Sequence, residues 1–390
     1  MDRSHRIALI ASSYHPHPGG VEEHVRHLAR ELVARGHVVA VWTVDRGEHL
    51  GTRLVDGIEV RYLPAPLPSR SARGLLSYAA RFPSAWWAWM GAWRALRPEL
   101  LNVQCFGPNG LYALALHRRT RTPLVVSSHG ETFTDDHDVF AQSGLLRAGL
   151  RRALRDAKAV TGCSSVVLED LRGRFGLTDG RVVPNGIDLA EASGGVEPPW
   201  WPEHGPVVLA LGRVEHKKGF DLLVRAFALL VSEERLPGSA RLVIGGDGSA
   251  LPDLVRLVEE LGLSDRVVLP GRLGRTDVAA AVSHADVFVV PSRVEAFGIV
   301  ALEAWRDGAP LVMTARGGAR DFISDGTDGV LVDPEDTAAL ATSLARLLDD
   351  PQFRQCLASA GRARVRDFDW ATVERLYEDV YGAVLETVPR

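Results

Sequence analysis

Short apolar runs rich in Val, Ile and Leu alternate with amphipathic stretches along nearly the whole chain. Each run is followed by a turn and then by an apolar pattern of helical period, which reads as parallel strands joined by crossover helices. In the first half, strands are expected over 6–12, 38–44, 58–63, 100–104, 124–127, 159–163 and 181–183. Helices fall over 21–35, 77–96, 111–117, 145–156 and 165–175. The pattern breaks at 189–206, where Pro198-Pro-Trp-Trp-Pro202 admits no regular element. It restarts with strands over 207–212, 241–245, 267–269, 285–290 and 311–313, and a last helix is expected over 370–385. The fold class is therefore α/β, with two doubly wound, Rossmann-like sheets. Such sheets bind ligands beyond the carboxyl ends of their strands, so an active site is expected in a cleft between the two domains.

Composition narrows the function classes. The 390 residues carry a net charge of −4, which argues against a dedicated nucleic-acid binder. Cys105, Cys163 and Cys356 have neither metal-ligand spacing nor an even count for disulfides, as in a reducing compartment. No apolar run approaches the ~18 residues of a spanning helix, and the amino terminus leads directly into a strand. A cytoplasmic location is expected.

The most informative chemistry lies in Pro291-Ser-Arg-Val-Glu-Ala-Phe-Gly-Ile-Val-Ala-Leu-Glu303. It sets Glu295 on a loop just before a helix N-terminus near Gly298, and Glu303 about one and a half turns inside that helix. Unpaired N–H groups at a helix start suit a diphosphate, and carboxylates accept hydrogen bonds from sugar hydroxyls. A second segment, Leu209-Ala-Leu-Gly-Arg-Val-Glu-His-Lys-Lys-Gly-Phe-Asp221, runs from a strand through a basic loop into a helix. Arg213 there offers a bidentate fork for phosphate and Lys218 a compact charge. Gly19 and Gly20, between the first strand and helix, allow close approach of backbone to an anion, though a tight turn explains them equally well. The Gly-x-Gly-x-x-Gly fingerprint of dinucleotide enzymes is missing from that turn.

Together with Val183-Pro-Asn-Gly-Ile-Asp188, Ile244-Gly-Gly-Asp-Gly248 and the closing Phe-Asp-Trp helix, these segments resemble the retaining GT-B glycosyltransferases of family GT4 over nearly the full length. The resemblance implies an N-terminal acceptor-side domain over 1–188 plus 370–390, a linker at 189–205 and a donor domain over 206–369. Arg213 and Lys218 would hold the donor pyrophosphate, and Glu295 the sugar hydroxyls, helped by the backbone of Ala296, Phe297, Gly298 and Ile299. Glu303 would hold the ribose, Arg272 and Leu273 the edge that reads the base, and Gly19 and Gly20 the diphosphate from the first domain. His129 resembles the family histidine that contacts the donor sugar and phosphate; with Arg213, Lys218 and Glu295 it completes the expected catalytic set. Ala296 departs from the family's more frequent glycine and adds a methyl near the donor sugar.

Preorganised cations stabilise the charge that develops on the leaving diphosphate, so no metal is expected. Asp135 and Asp136 are read as loop acidity. No cofactor is expected beyond a nucleotide-sugar donor, a UDP-hexose or UDP-N-acetylhexosamine. Retention is implied by the family, through front-face attack in which the departing phosphate oxygen takes the acceptor's proton. The polar loop after His129, with Glu131, Thr132 and Asp135, is the expected acceptor region, and a small aminocyclitol or polyol the expected acceptor.

Trp86, Trp89, Met90 and Trp93 share one helical face, and Arg147, Arg151, Arg152 and Arg155 form a basic stripe on another helix. Because the two features lie on different helices, a buried crossover helix and a solvated basic face are favoured over membrane docking. Alternatives are a transferase acting on a lipid-linked saccharide, an epimerase or phosphorylase on the same fold, and a non-catalytic binding protein. The last should have lost one of Arg213, Lys218, Glu295 or Glu303.

Overall fold

A computed structural model describes residues 3–17, 19–69, 71–134, 139–190 and 194–386. The chain forms two compact units: Met1–Asn185 with Trp370–Arg390, and Gly186–Asp369.

The first unit is built on an eight-stranded sheet. Its strands are β1 (Arg6–Ala11), β2 (Val38–Val44), β3 (Thr52–Val55), β4 (Ile58–Leu63), β5 (Leu100–Gln104), β6 (Leu124–Ser128), β7 (Ala159–Gly162) and β8 (Arg181–Val182). Their order is β3-β4-β2-β1-β5-β6-β7-β8. Every pairing is parallel except β3 with β4. The continuous apolar strands are buried on both faces, as helices on each side require. β3 went unpredicted. It joins β4 through Asp56-Gly57, whose φ angles of 51° and 78° make the two-residue turn that such hairpins favour.

The helix expected at 77–96 spans Ala72–Leu96, because Ser71 caps it by accepting from the Gly74 N–H. Its aromatic face belongs to the core. Trp89 is fully buried and donates to Pro64 O, while Trp93 donates to Thr122 Oγ1. Arg147, Arg151 and Arg152 bond carbonyls of 140, 141 and 174 and the Asp156 carboxylate. Among the described residues no helix is long and apolar enough to cross a membrane.

The last helix, Trp370–Glu386, returns to the first unit. Trp370, Val373, Tyr377, Val380, Tyr381 and Val384 recur every three or four residues and pack with Ile7, Leu9, Val25 and Leu28. The same buried face carries Glu374 and Glu378. Arg35 Nε lies 2.5 Å from Glu374 and Arg35 Nη1 3.1 Å from Glu378, whose other oxygen meets His37 Nε2 at 3.0 Å.

The second unit has a six-stranded parallel sheet made of β9 (Val207–Leu211), β10 (Arg241–Gly245), β11 (Val267–Gly271), β12 (Val287–Val290), β13 (Leu311–Thr314) and β14 (Val330–Val332). Its order is β11-β10-β9-β12-β13-β14. The Pro-rich segment expected as a linker falls inside this unit, where Trp201 is buried and its ring meets His284. Ile187 pairs with Asp369 at the two ends of the unit.

Candidate active site

In the second unit the chain winds outward from β9 through β10 to β11, then crosses to place β12 on the other side of β9. That reversal is a topological switch point, where loops diverge and leave room for a ligand. The two loops that leave it are those following β9 and β12.

After β9 the chain makes a short turn of helix at His216–Lys218 and closes it at Gly219, with φ 67°. A Cβ on Gly219 would lie 2.0 Å from Pro291 O, so only glycine lets the two loops come together. Across that contact, Lys218 Nζ lies 2.8 Å from Glu295 Oε2, and Ser292 Oγ donates to the same oxygen at 3.1 Å. Glu295 is 8% exposed, so its position is set by the fold. Its N–H donates to Arg316 O and its carbonyl accepts from the Gly318 N–H. Gly298, with φ 90°, then turns the chain into the helix Ile299–Asp307. Glu303 is half-buried in that helix.

Of the other expected donor residues, Phe297 turns its ring away, stacking on Phe322 at 4.6 Å, so its backbone alone is left for a ligand. Ala296 is buried. Arg213 is exposed on the loop after β9. Arg272 is exposed just past β11, whereas Leu273 lies over Gly245 at the end of β10.

Sequence reasoning missed the clamp that holds these loops. Arg293 makes a bidentate pair with Asp221 at 2.8 and 2.7 Å, donates from Nη1 to His216 O at 2.8 Å, and its N–H bonds Lys217 O at 2.8 Å. Burial acts to raise the Asp221 pKa, but the Arg293 hydrogen bonds and charge outweigh it and hold the carboxyl below its usual range. The acid in the first turn of a predicted helix was a visible signal for Asp221; nothing in the sequence marked Arg293 as its partner. Arg293→Ala is expected to destabilise the second unit by about 1–3 kcal/mol and to raise the donor KM more than it lowers kcat. Thermal melts and steady-state kinetics check both.

In the first unit, His129 follows β6 and its Nε2 lies 2.8 Å from Gln104 Oε1 at the end of β5. Its ring meets that of His24 edge-on, with centroids 4.6 Å apart. Burial pushes its pKa down to about 4, so the imidazole is neutral at neutral pH.

Glu131 and Thr132, expected in the acceptor region, are both engaged within the first unit. Glu131 accepts from the N–H groups of Phe106 and His129 and from Ser128 Oγ, each at 2.8 Å, which commits it to its own loop. Thr132 is buried and donates to Asp170 at 2.6 Å. Asp135 and Asp136 lie outside the described residues. Gly19 is extended, with φ 175°, and precedes the helix Gly20–Ala34. A Cβ there would meet the Glu22 carboxylate at 2.2 Å, so the chain's own acid covers this helix start.

A family model described as glycosyl transferases group 1 matches residues 198–364, and one described as glycosyltransferase family 4 matches residues 18–191. The glycogen synthase of Mycobacterium tuberculosis is 30% identical, over 97% of this chain and 94% of that protein. The D-inositol 3-phosphate glycosyltransferase of Xylanimonas cellulosilytica is 30% identical, over 99% of each. HepE from Anabaena, solved in complex with UDP-glucose, is 21% identical with a TM-score of 0.75, over 97% of this chain and 100% of that one. The two parallel α/β sheets are thus those of the GT-B fold.

Proposed function

This chain belongs to the group 1 glycosyltransferases of family 4, and we propose that it moves a hexose or aminohexose from a UDP-sugar to a hydroxyl of a small polar acceptor, with retention of anomeric configuration. The observation that carries this reading is the Lys218–Glu295 pair at 2.8 Å, set where strand order reverses and beside a helix start.

Breaking the donor's glycosidic bond puts negative charge on the departing diphosphate and positive charge on the anomeric carbon. Lys218 and Arg213 answer the first, together with N–H groups at the start of Ile299–Asp307. A phosphate oxygen can take the place of Glu295 on Lys218, and the carboxylate then accepts hydroxyls of the sugar. Glu303 holds the ribose. The acceptor attacks from the face the diphosphate leaves, and the leaving phosphate oxygen takes its proton. UDP is favoured because a structural neighbour holds UDP-glucose, and a small acceptor because a relative over the full length is named for inositol phosphate.

Thermal melts with UDP, GDP, ADP and TDP test the donor. A ligand at a hundredfold its Kd stabilises by about 2.7 kcal/mol. A shift with UDP alone, lost in Glu303→Ala, is the expected result. A larger shift with another nucleotide moves the donor class, and no shift with any of them sinks the transferase site.

A further inference from the structure

We propose that Gln104 and Asn102 are positioning residues for His129: a directed chain of hydrogen bonds keeps its imidazole proton on Nε2, so that the ring meets a substrate hydroxyl as an acceptor at Nδ1. This deepens the proposed function and rests on the expectation from sequence that His129 contacts the donor sugar.

The chain starts at a group that can only accept. Val125 O lies 3.4 Å from Asn102 Nδ2, which also reaches Ser127 Oγ at 3.0 Å. Those contacts orient the amide, and its Oδ1 faces the other way. There it accepts from Gln104 Nε2 at 2.6 Å and from the Tyr381 hydroxyl at 2.8 Å. With its nitrogen so used, Gln104 presents Oε1 to His129 Nε2 at 2.8 Å. An amide oxygen cannot donate, so Nε2 carries the proton and Nδ1 keeps its lone pair. Reversing the chain would set Asn102 Oδ1 against Val125 O, two acceptors with no proton between them. Both amides are fully buried, where an unmade hydrogen bond is costly.

The surroundings favour the neutral ring. His24 lies edge-on from the first helix, its Nε2 3.0 Å from the Tyr377 hydroxyl. Glu131 accepts from the His129 N–H, so its carboxylate faces the backbone side. The Asn185 amide beside both imidazoles acts the other way, raising each pKa, but burial outweighs it. Burial lowers the His129 pKa to about 4, which fits a ring that acts without a positive charge.

Nitrogen-15 NMR of the full chain, labelled at histidine, reads the tautomer directly. The expected result is a neutral His129 with Nε2–H from about pH 8 to about pH 5. In Gln104→Glu the carboxylate should hold an imidazolium at neutral pH. Nδ1 is then protonated and cannot accept, so kcat/KM gains an acid limb falling about tenfold per pH unit below the new pKa. A wild-type His129 that carries Nδ1–H, or that titrates near its ordinary value, overturns the proposal. So does a Gln104→Glu enzyme whose imidazolium is seen by NMR but whose pH profile is that of the wild type. If Gln104→Glu does not fold, the wild-type spectrum and pH profile still decide. Failure of the donor reading would appear separately, as no nucleotide shift in the melts, and leaves the His129 spectrum unchanged.

Discussion

Lys218→Ala is expected to lower sugar transfer by about a hundred- to a thousandfold while the second unit stays folded. The ammonium reaches Glu295 from the loop after β9, at 2.8 Å. On the proposed mechanism, its removal takes away a cation that would stabilise the charge gathering on the leaving diphosphate. Stability should change little by comparison, because the loop is held by Arg293 and by backbone hydrogen bonds that the substitution does not touch. Glu295 keeps its hydrogen bond from Ser292. Lys218→Arg should restore the charge but not the rate, since a planar fork replaces a compact donor in a closely packed turn. Circular dichroism with single-turnover assays separates the two effects. A Lys218→Ala protein with near-native turnover would remove Lys218 from the mechanism.

The first unit should lose stability as pH rises from about 5 to about 8, and Glu374→Gln should remove most of that loss. Burial raises the Glu374 pKa to about 7, helped by the neighbouring Glu378 and opposed by Arg35. The folded state thus binds this proton more tightly than the unfolded chain, whose carboxyl has the ordinary value of 4.5. Below that value both states are protonated and the group is neutral in the balance. Between it and about 7 the unfolded chain ionises first, and stability falls. Above about 7 both are ionised and the penalty is complete, on the order of 3 kcal/mol. Carboxyls held low elsewhere, such as Asp56 beside Arg26, act in the opposite direction at acid pH. The informative quantity is therefore the difference between wild type and variant. Melts at pH 5 and 8 should show Glu374→Gln gaining at the higher pH, and equal curves would mean that Arg35 fully compensates the buried charge.

The strands of both sheets were legible because parallel strands covered on both faces are uninterrupted apolar runs. What escaped were elements without such a run. β3 reads Thr-Arg-Leu-Val at an exposed edge, and its evidence was the Asp56-Gly57 turn beside it. β14 is only three residues long. In the site, loop chemistry was visible as motif: Lys218 and Glu295 were named from spacing, and the fold brings them into contact. Side-chain direction was not visible. Glu131 and Thr132 looked polar and available on a loop, yet each spends its oxygens on neighbours. Asn102 and Gln104 did leave a trace, two amides at alternate positions of an otherwise apolar strand, which places both on one buried face. A buried polar pair demands partners, and that demand could have been followed to His129.

The second unit is one continuous stretch of chain, whereas the first is completed by its last helix. During synthesis, β1 through β8 leave the ribosome well before Trp370, Tyr377 and Tyr381, which line the core against β1 and the first helix. Until they arrive, Ile7, Leu9, Val25 and Leu28 lack that cover. The part made first is thus finished last, and the intervening unit has time to fold while its predecessor waits. A chain truncated after residue 369 would keep every residue of the second unit but leave an apolar face uncovered on the first, the kind of surface that chaperones bind.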